Sequence, residues 1–391
     1  MTRVANVIED GRVAGPHLRI IEVARRLAAD GISTTVIHPW QDSGDLTARL
    51  LSAKVRSLPL RMTRPHSGWR GVFWYALTLI PDISRLYRLV QQENFDIVHC
   101  SGGAWQFKGV IAGRLADIPV IWHLNDTSMP WLVRVLFALL ARWGASGFIV
   151  AGQRVREYYR LDRWAQSPVI EITPPVDTAA FNPAIVQPDP EIESLPGIKI
   201  VLVANVNPLK GIHRLLDAAS LLQEGFQNLA FVIVGPIYQS QQQYFKWLLR
   251  HAQKIGIGKI VHFVGPKEDV ASALAAADIA VCASLFEAGP MAVWEAMAMA
   301  RPVVSTDVGD VARFISNGES GIVVAPNCAV SLATGIARFL DDPKLRISCG
   351  ELARSIAIQK LDISICASLH AECYRLVAAR QTASKPVVRH E

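Results

Sequence analysis

Glu287 and Glu295 stand eight positions apart in residues 284–309, SLFEAGPMAVWEAMAMARPVVSTDVG. Residues 280–284 read as the end of a buried strand. Gly289-Pro290 then opens a helix, with proline at the first helical position, where its missing N–H is no loss. The mouth of a helix gathers unpaired N–H groups and a partial positive charge, which makes it a seat for phosphate. Glu287 sits beside that seat, and Glu295 lies about a turn and a half further in. A carboxylate can accept a hydroxyl on each oxygen. The layout therefore suits a ligand with phosphates in the middle and hydroxyls at both ends, as in a sugar nucleotide. Spacing alone does not separate this from two solvated glutamates, one on a loop and one on a helix surface.

Other loops carry residues of matching chemistry. Asn205-Val206-Asn207-Pro208-Leu209-Lys210-Gly211 joins a strand to a helix, and Lys210 can reach a phosphate from it, although a loop lysine is often simply solvated. Gly15, in Ala14-Gly15-Pro16, precedes a helix, as a plain turn or as a place where backbone N–H groups approach a ligand. His123 follows the strand-like Val120-Ile121-Trp122, as a ligand contact or as a satisfied structural group; His17 and His99 are poorer candidates. A departing diphosphate needs its charge neutralised, by a divalent metal or by fixed cations and helix N-termini. No D-x-D metal motif is present, and neither is G-x-G-x-x-G, a P-loop or G-x-S-x-G, so dehydrogenase, ATPase and hydrolase assignments lose their usual support.

The 284–309 run resembles the E-x7-E signature of the retaining glycosyltransferases of family 4, which adopt the GT-B fold. Glu287-Ala288, Pro290, Glu295-Ala296-Met297-Ala298 and Pro302-Val303-Val304 stand where that family has them, and the resemblance spans nearly the whole chain. It implies an α/β protein of two Rossmann-like parallel-sheet domains facing a cleft, with a C-terminal helix crossing back to the first domain. It also implies a nucleoside-diphosphate sugar donor, no metal or other cofactor, and retention of configuration by same-face attack, the leaving phosphate accepting the proton. By the same resemblance Glu287 holds hydroxyls of the transferred sugar, and Glu295 holds the ribose. Asn205 to Gly211 is then the diphosphate loop with Lys210 as its cation. Ala288, Gly289 and Pro290 form the helix mouth, Ala14-Gly15 replaces a Gly-Gly pair, and His123 lies near the reacting carbon. Two positions depart from the family. Asn205 replaces an arginine, leaving one cation where the family has two unless a residue such as Arg214 contributes, and Arg313 replaces a common glutamate.

At 391 residues, 51% of them apolar and 19% charged, the chain is long enough for two ordinary domains with large cores. Its N-terminus lacks the apolar core of a secretory signal, and its six cysteines form no C-x-x-C pair and read as buried free thiols. Together these point to the cytoplasm. The net charge of +6 lies in the first 185 residues, which hold 21 basic and 15 acidic side chains, against 19 of each in the remainder. Residues 49–80 carry Arg49, Lys54, Arg56, Arg61, Arg64 and Arg70 and no acid, interleaved with Trp69, Phe73, Trp74 and Tyr75. No nucleic-acid motif accompanies this charge. It suggests a peripheral membrane contact on anionic lipid; the alternative is a helix with aromatics in the core and arginines in water. The uninterrupted apolar runs are too short to span a bilayer.

Short apolar strands alternate with helical stretches, the pattern of parallel α/β domains. Strands are predicted at 4–8, 34–38, 97–100, 120–123 and 147–151, and again at 200–204, 230–234, 260–264, 279–283, 303–306 and 321–324. A helix over 17–30 ends at Gly31. Residues 173–196 hold six prolines and break the pattern. The expected domains are 1–182, joined by a returning helix over 365–382, and 197–360. The expected function is hexosyl transfer from a nucleotide sugar to a saccharide or lipid-linked acceptor, in cell-surface polysaccharide or glycolipid synthesis. Transfer to a soluble acceptor, or a weakly active sugar-nucleotide-binding subunit, are the alternatives.

Overall fold

The computed structural model describes residues 1–64 and 69–384. Strands β1 (Thr2–Val7), β2 (Ile32–Pro39), β3 (Arg56–Leu60), β4 (Ile97–Ser101), β5 (Val120–Leu124), β6 (Gly147–Val150) and β7 (Val169–Glu171) pair in the order β3-β2-β1-β4-β5-β6-β7. A second sheet, β8 (Ile198–Val203), β9 (Leu229–Val234), β10 (Val261–Gly265), β11 (Ile279–Cys282), β12 (Val303–Thr306) and β13 (Ile322–Val324), takes the order β10-β9-β8-β11-β12-β13. Every pairing between these strands is parallel. Parallel neighbours need a crossover, so helices cover both faces and inner strands become apolar throughout. β9, LAFVIV, is buried along its whole length. The helices used below are α1 (Gly15–Leu27), α2 (Trp69–Gln92), α3 (Phe107–Leu115), α4 (Trp131–Gly144), α5 (Ile212–Leu222), α6 (Met291–Ala298) and α7 (Ile363–Ser384).

Each sheet starts in its middle, winds to one edge, then restarts on the other side. The reversal falls between β1 and β4 in the first unit and between β8 and β11 in the second. In open α/β sheets, the loops at the carboxyl ends of strands flanking such a reversal are where ligands bind. The sheet topology thus singles out the loops after β1, β4, β8 and β11.

The eleven strands expected from sequence form within about two residues of their predicted limits. β3 and β7 were not anticipated. Both are edge strands; β3 carries Pro59, and β7 is three residues long. An edge strand lacks a neighbour on one side and tolerates proline and exposed side chains, so its apolar signal is weak. α1 passes into a 3-10 turn, Ala28–Asp30, which Gly31 closes at φ +72°, a left-handed conformation that glycine adopts without a Cβ penalty.

The first unit comprises Met1–Thr173 and the chain from Ile363, and the second Pro174–Asp362. Residues 174–182, expected to close the first domain, belong to the second. The Val176 N–H donates to the Leu361 carbonyl at 2.9 Å, the Thr178 hydroxyl to Asp362 at 2.5 Å, and Arg354 to the Phe181 carbonyl at 2.9 Å. The proline-rich composition marked the right region, but these long-range bonds decide its allegiance. The returning helix is α7. Its Cys366, Ala367, Ala371, Cys373, Tyr374 and Val377 are buried with Val4, Val23, Leu27 and Ile97 in the first unit's core. All six cysteines are free, five of them buried. Among the described residues, no helix is long and apolar enough to cross a membrane.

Candidate functional site

The loops after β8 and β11 are stitched together. The Asn207 carboxamide oxygen accepts the Leu209 N–H at 2.9 Å, turning the chain through Pro208–Lys210, and its Nδ2 donates to Asn205 Oδ1 at 3.1 Å. Gly211 follows at φ +63°, where a Cβ would fall 1.9 Å from the Ala283 carbonyl oxygen. Only glycine permits this approach of the two backbones. The Leu285 N–H donates to the Leu209 carbonyl at 2.8 Å, and the Thr306 hydroxyl to the Ser284 carbonyl at 2.7 Å.

This packing joins Lys210 to Glu287, whose Oε1 accepts both the Lys210 ammonium and the Ser284 hydroxyl, the latter at 2.9 Å. Both side chains remain partly open to solvent. An ion pair in that setting contributes about 0–1 kcal/mol to stability. Its placement at the switch point is what singles it out.

Helix α6 begins at Met291, one residue later than expected. Pro290 is its N-cap residue, with no side-chain cap bond, because its ψ of 85° is outside the helical region. Ala288 and Gly289 lead into it. A Cβ on Gly289 would meet Pro174 Cγ at 2.6 Å. Glu295 lies in the second turn, between the buried Trp294 and Ala296. Its carboxylate makes no hydrogen bond or ion pair with a described residue, and burial pushes its pKa up to about 7. A ligand that donates hydroxyls there would favour the ionised form.

The other sequence candidates separate clearly. Arg214 is already held by Asn327 Oδ1 at 2.7 Å and Asp217 Oδ2 at 3.2 Å. Arg313 lies 3.8 Å from Asp310 and over the Phe314 ring. In the first unit, Gly15 is the first residue of α1, after Ala14 in extended conformation, and His17 accepts the Ala14 N–H at 3.2 Å. A hollow of about 970 Å³ in the same unit, with Arg25, Arg49, Lys54 and Arg56 in its wall, includes none of the predicted site residues.

His123 departs from expectation. It does not stand open at the end of its strand but lies within β5, 1% exposed. Its Nδ1 is 3.2 Å from His99 Nε2, and the two rings stack with centroids 5.3 Å apart. The polar residues that leave the strand end are Asn125 and Asp126. Asp126 accepts the Tyr159 hydroxyl at 2.6 Å and the Ala104 N–H at 3.3 Å. An apolar run gives no sign of which residue ends the ladder, and the pairing of Leu124 with Val150 carries β5 one residue beyond His123.

One group went unrecognised in the sequence. Glu9, two residues beyond β1, is fully buried and accepts the Tyr75 hydroxyl at 2.7 Å and the Lys108 N–H at 3.0 Å. The Lys108 ammonium, also fully buried, lies 3.8 Å from Glu9 and 2.8 Å from Asp82. Glu9 and Lys108 are 99 residues apart in the chain, and no local pattern links them.

Two family models account for most of the chain. Glycosyltransferase Family 4 matches residues 13–180, and Glycosyl transferases group 1 matches residues 189–356. The chain belongs to the family 4 glycosyltransferases of GT-B fold. It is 34% identical over 209 residues to the D-inositol 3-phosphate glycosyltransferase 2 of Catenulispora acidiphila, covering 51% of this chain and 49% of that protein. This chain thus spans about half the length of that relative. It is 24% identical over 379 residues to the phosphatidyl-myo-inositol mannosyltransferase of Mycobacterium leprae, covering 93% of each. The crystal structure of Anabaena Alr3699/HepE in complex with UDP superposes with a TM-score of 0.82 at 19% identity, over 96% of this chain and all of that one. That likeness establishes the fold.

Proposed function

We propose that this chain transfers a sugar, with retention of configuration, from a nucleoside diphosphate to a saccharide or lipid-linked acceptor. The observation that carries the proposal is the meeting of Lys210 and Glu287 at the carboxyl ends of β8 and β11, beside the mouth of α6. Lys210 and the α6 N-terminus would take the diphosphate in place of a metal, Glu287 the hydroxyls of the transferred sugar, and Glu295 those of the ribose. Six free thiols suit a reducing compartment. A binding screen across UDP-, GDP- and ADP-sugars, followed by transfer assays with the donor that binds, tests the proposal; failure to bind any of them would remove it. Asn205 in place of arginine, with Arg214 already engaged, favours a second reading as a weakly active sugar-nucleotide-binding subunit. Tight donor binding without turnover on any acceptor would establish that reading.

Donor binding should depend on pH through Glu295. Its carboxyl is pushed up to about 7, so it is protonated below that pH and a poor acceptor of ribose hydroxyls. Affinity for the bound nucleotide sugar is expected to rise about tenfold from pH 6 to pH 8. Calorimetry on Glu295→Gln should give a flat profile; an equally steep one would exclude Glu295 from the site.

Three of the six basic residues in 49–80 are engaged within the first unit. Arg49, Arg56 and Arg64 of the basic stretch already pair with Asp45 at 3.0 Å, Glu93 at 2.7 Å and Asp42 at 3.3 Å. Residues 65–68 and the side chains of Trp69 and Arg70 lie outside the described residues. The stronger support is apolar. α2 exposes Val72, Phe73, Trp74, Leu77 and Ile80, while α4 exposes Trp131, Leu132, Val135, Leu136, Leu139 and Trp143. α3 packs against both helices. Exposed aromatic and aliphatic residues on neighbouring helices fit an interfacial lipid contact, which would bring the protein to a lipid-linked acceptor. The chain is expected to pellet with anionic liposomes at low salt and, in smaller part, at high salt. The double substitution Leu132→Glu/Leu139→Glu should release it. No pelleting at low salt would eliminate the membrane contact.

A further inference from the structure

Arg19 is a buried cation with no carboxylate to meet it. It lies in the second turn of α1, is 5% exposed, and its Nη2 is buried without a partner; no hydrogen bond or ion pair joins it to a described residue. Burial lowers its pKa. Arg19 lines a small internal cavity with Asn6 of β1, Thr34 of β2, His99 and Ser101 of β4, His123 of β5, and His370 and Tyr374 of α7. The space open to the centre of a water-sized sphere is about 10 Å³, room for a single small occupant. Asn6 Oδ1, Thr34 Oγ1, Ser101 Oγ and His123 Nε2 are also buried without partners. Five such atoms around one cavity are far from the usual rule that buried polar groups are paired.

The hydrogen-bond network constrains what the cavity offers. His99 Nδ1 is 2.8 Å from the Tyr374 hydroxyl and 3.4 Å from Asn6 Nδ2. With the Asn6 amide assigned so that Nδ2 faces the ring and with Tyr374 donating, Nδ1 is the acceptor; in that tautomer the proton of neutral His99 sits on Nε2 and is given to His123 Nδ1 at 3.2 Å. His123 then carries its own proton on Nε2, as a buried donor with nothing to receive it. His370 donates through Nδ1 to the Cys366 carbonyl at 2.8 Å, as a helical residue four positions on can. Burial, reinforced by the Arg19 charge, keeps all three imidazoles neutral, with His370 lowered to about 4. The three rings offer ligand atoms within 4.8 Å of one another, a spacing that could hold a metal. However, both nitrogens of His99 are already committed, and a divalent cation would sit in the same small space as an unneutralised guanidinium.

We propose that this cavity, whose walls give by a few tenths of an ångström to take an occupant larger than a water, binds one monovalent anion of halide size, chloride under ordinary conditions. The Arg19 guanidinium supplies the charge, and His123 Nε2–H with the Ser101 and Thr34 hydroxyls supply the donors. The occupant ties α1 and α7 to the first sheet, so it stabilises the docking of the returning C-terminal helix. The proposal is independent of the donor site in the second unit.

The full chain should unfold at a temperature that rises with sodium chloride and saturates. The rise should be a few degrees over sodium gluconate of equal ionic strength once chloride is about tenfold above its dissociation constant. Arg19→Met should abolish the difference between the two salts. Crystals of the wild-type chain soaked in sodium bromide should give an anomalous difference peak among Arg19, Ser101 and His123, a result that stands even if Arg19→Met does not fold. Identical unfolding in chloride and gluconate with no bromide peak would overturn the proposal. So would stoichiometric zinc in protein purified without chelators, lost in His370→Asn.

Discussion

Lys210→Met is expected to lower kcat/KM for sugar transfer by about 10²–10³-fold, the usual effect of losing one fixed group that meets developing charge. Its unfolding temperature should change little. What matters is where the ammonium stands. It is placed by the Asn207 turn, held close by Gly211, and paired with Glu287 across two loops at the switch point. The pair is partly solvated, so its loss removes little stability. Glu287→Ala should produce a comparable loss in rate, because it deletes the proposed sugar contact and frees Lys210 from its anchor. Glu287→Gln keeps an oxygen for the lysine and should fall less. If both groups act on one bound donor, the double variant Lys210→Met/Glu287→Ala will be less impaired than the product of the two single effects. The opposite pattern, intact rates with a lowered unfolding temperature in each single variant, would make the pair a structural tie and sink the catalytic assignment.

The second large effect is on stability. Lys108→Met should destabilise the first unit by about 3–5 kcal/mol, the range for removing one partner from a buried ion pair. At this size of unit that corresponds to a fall of roughly 10 °C in unfolding temperature. Methionine fills the lysine's path through the core, so the deficit would come from charge. Asp82 and Glu9 would be left facing each other without the ammonium that now lies 2.8 and 3.8 Å from them, and the Tyr75 ring would lose the cation 4.1 Å from its centroid. The deficit should also depend on pH. Burial pushes the Glu9 carboxyl up to about 7, despite the opposing pull of Lys108. A carboxyl raised in the folded state is most favourable to folding below its unfolded value near 4.5, and that contribution fades as pH climbs to about 7. Without Lys108 the ionised Glu9 is less tolerated still, so the gap between variant and wild type should widen from pH 5 to pH 8. Urea titrations at the two pH values would check this; equal midpoints for the two proteins would show that the network is not stabilising.

These two expectations draw on different kinds of information. The loop and helix start that carry Lys210, Gly211, Glu287 and Glu295 were legible in the chain because each is a short segment whose geometry is local, while the roles given to these residues came from the family resemblance. An apolar strand is followed by a turn with glycine at its left-handed position, or by a helix start marked with Gly-Pro. The alternation of apolar runs with helical periods likewise determined two parallel sheets, since inner strands covered on both faces must be apolar. Tertiary structure alone decided the rest. His123 has the same neighbours in sequence whether it ends a strand or lies inside one; the ladder to β6 and the cover of α7 make it interior. β3 and β7 form at sheet edges, where little burial is required and the pattern fades. Residues 174–182 join the second unit through bonds to residues 354–362. Lys108 finds its carboxylates, and His99 its tyrosine 275 positions away, only when distant elements close on one another. A charge or ring in a sequence declares its chemistry, but the burial that sets its ionisation is a property of the packed chain.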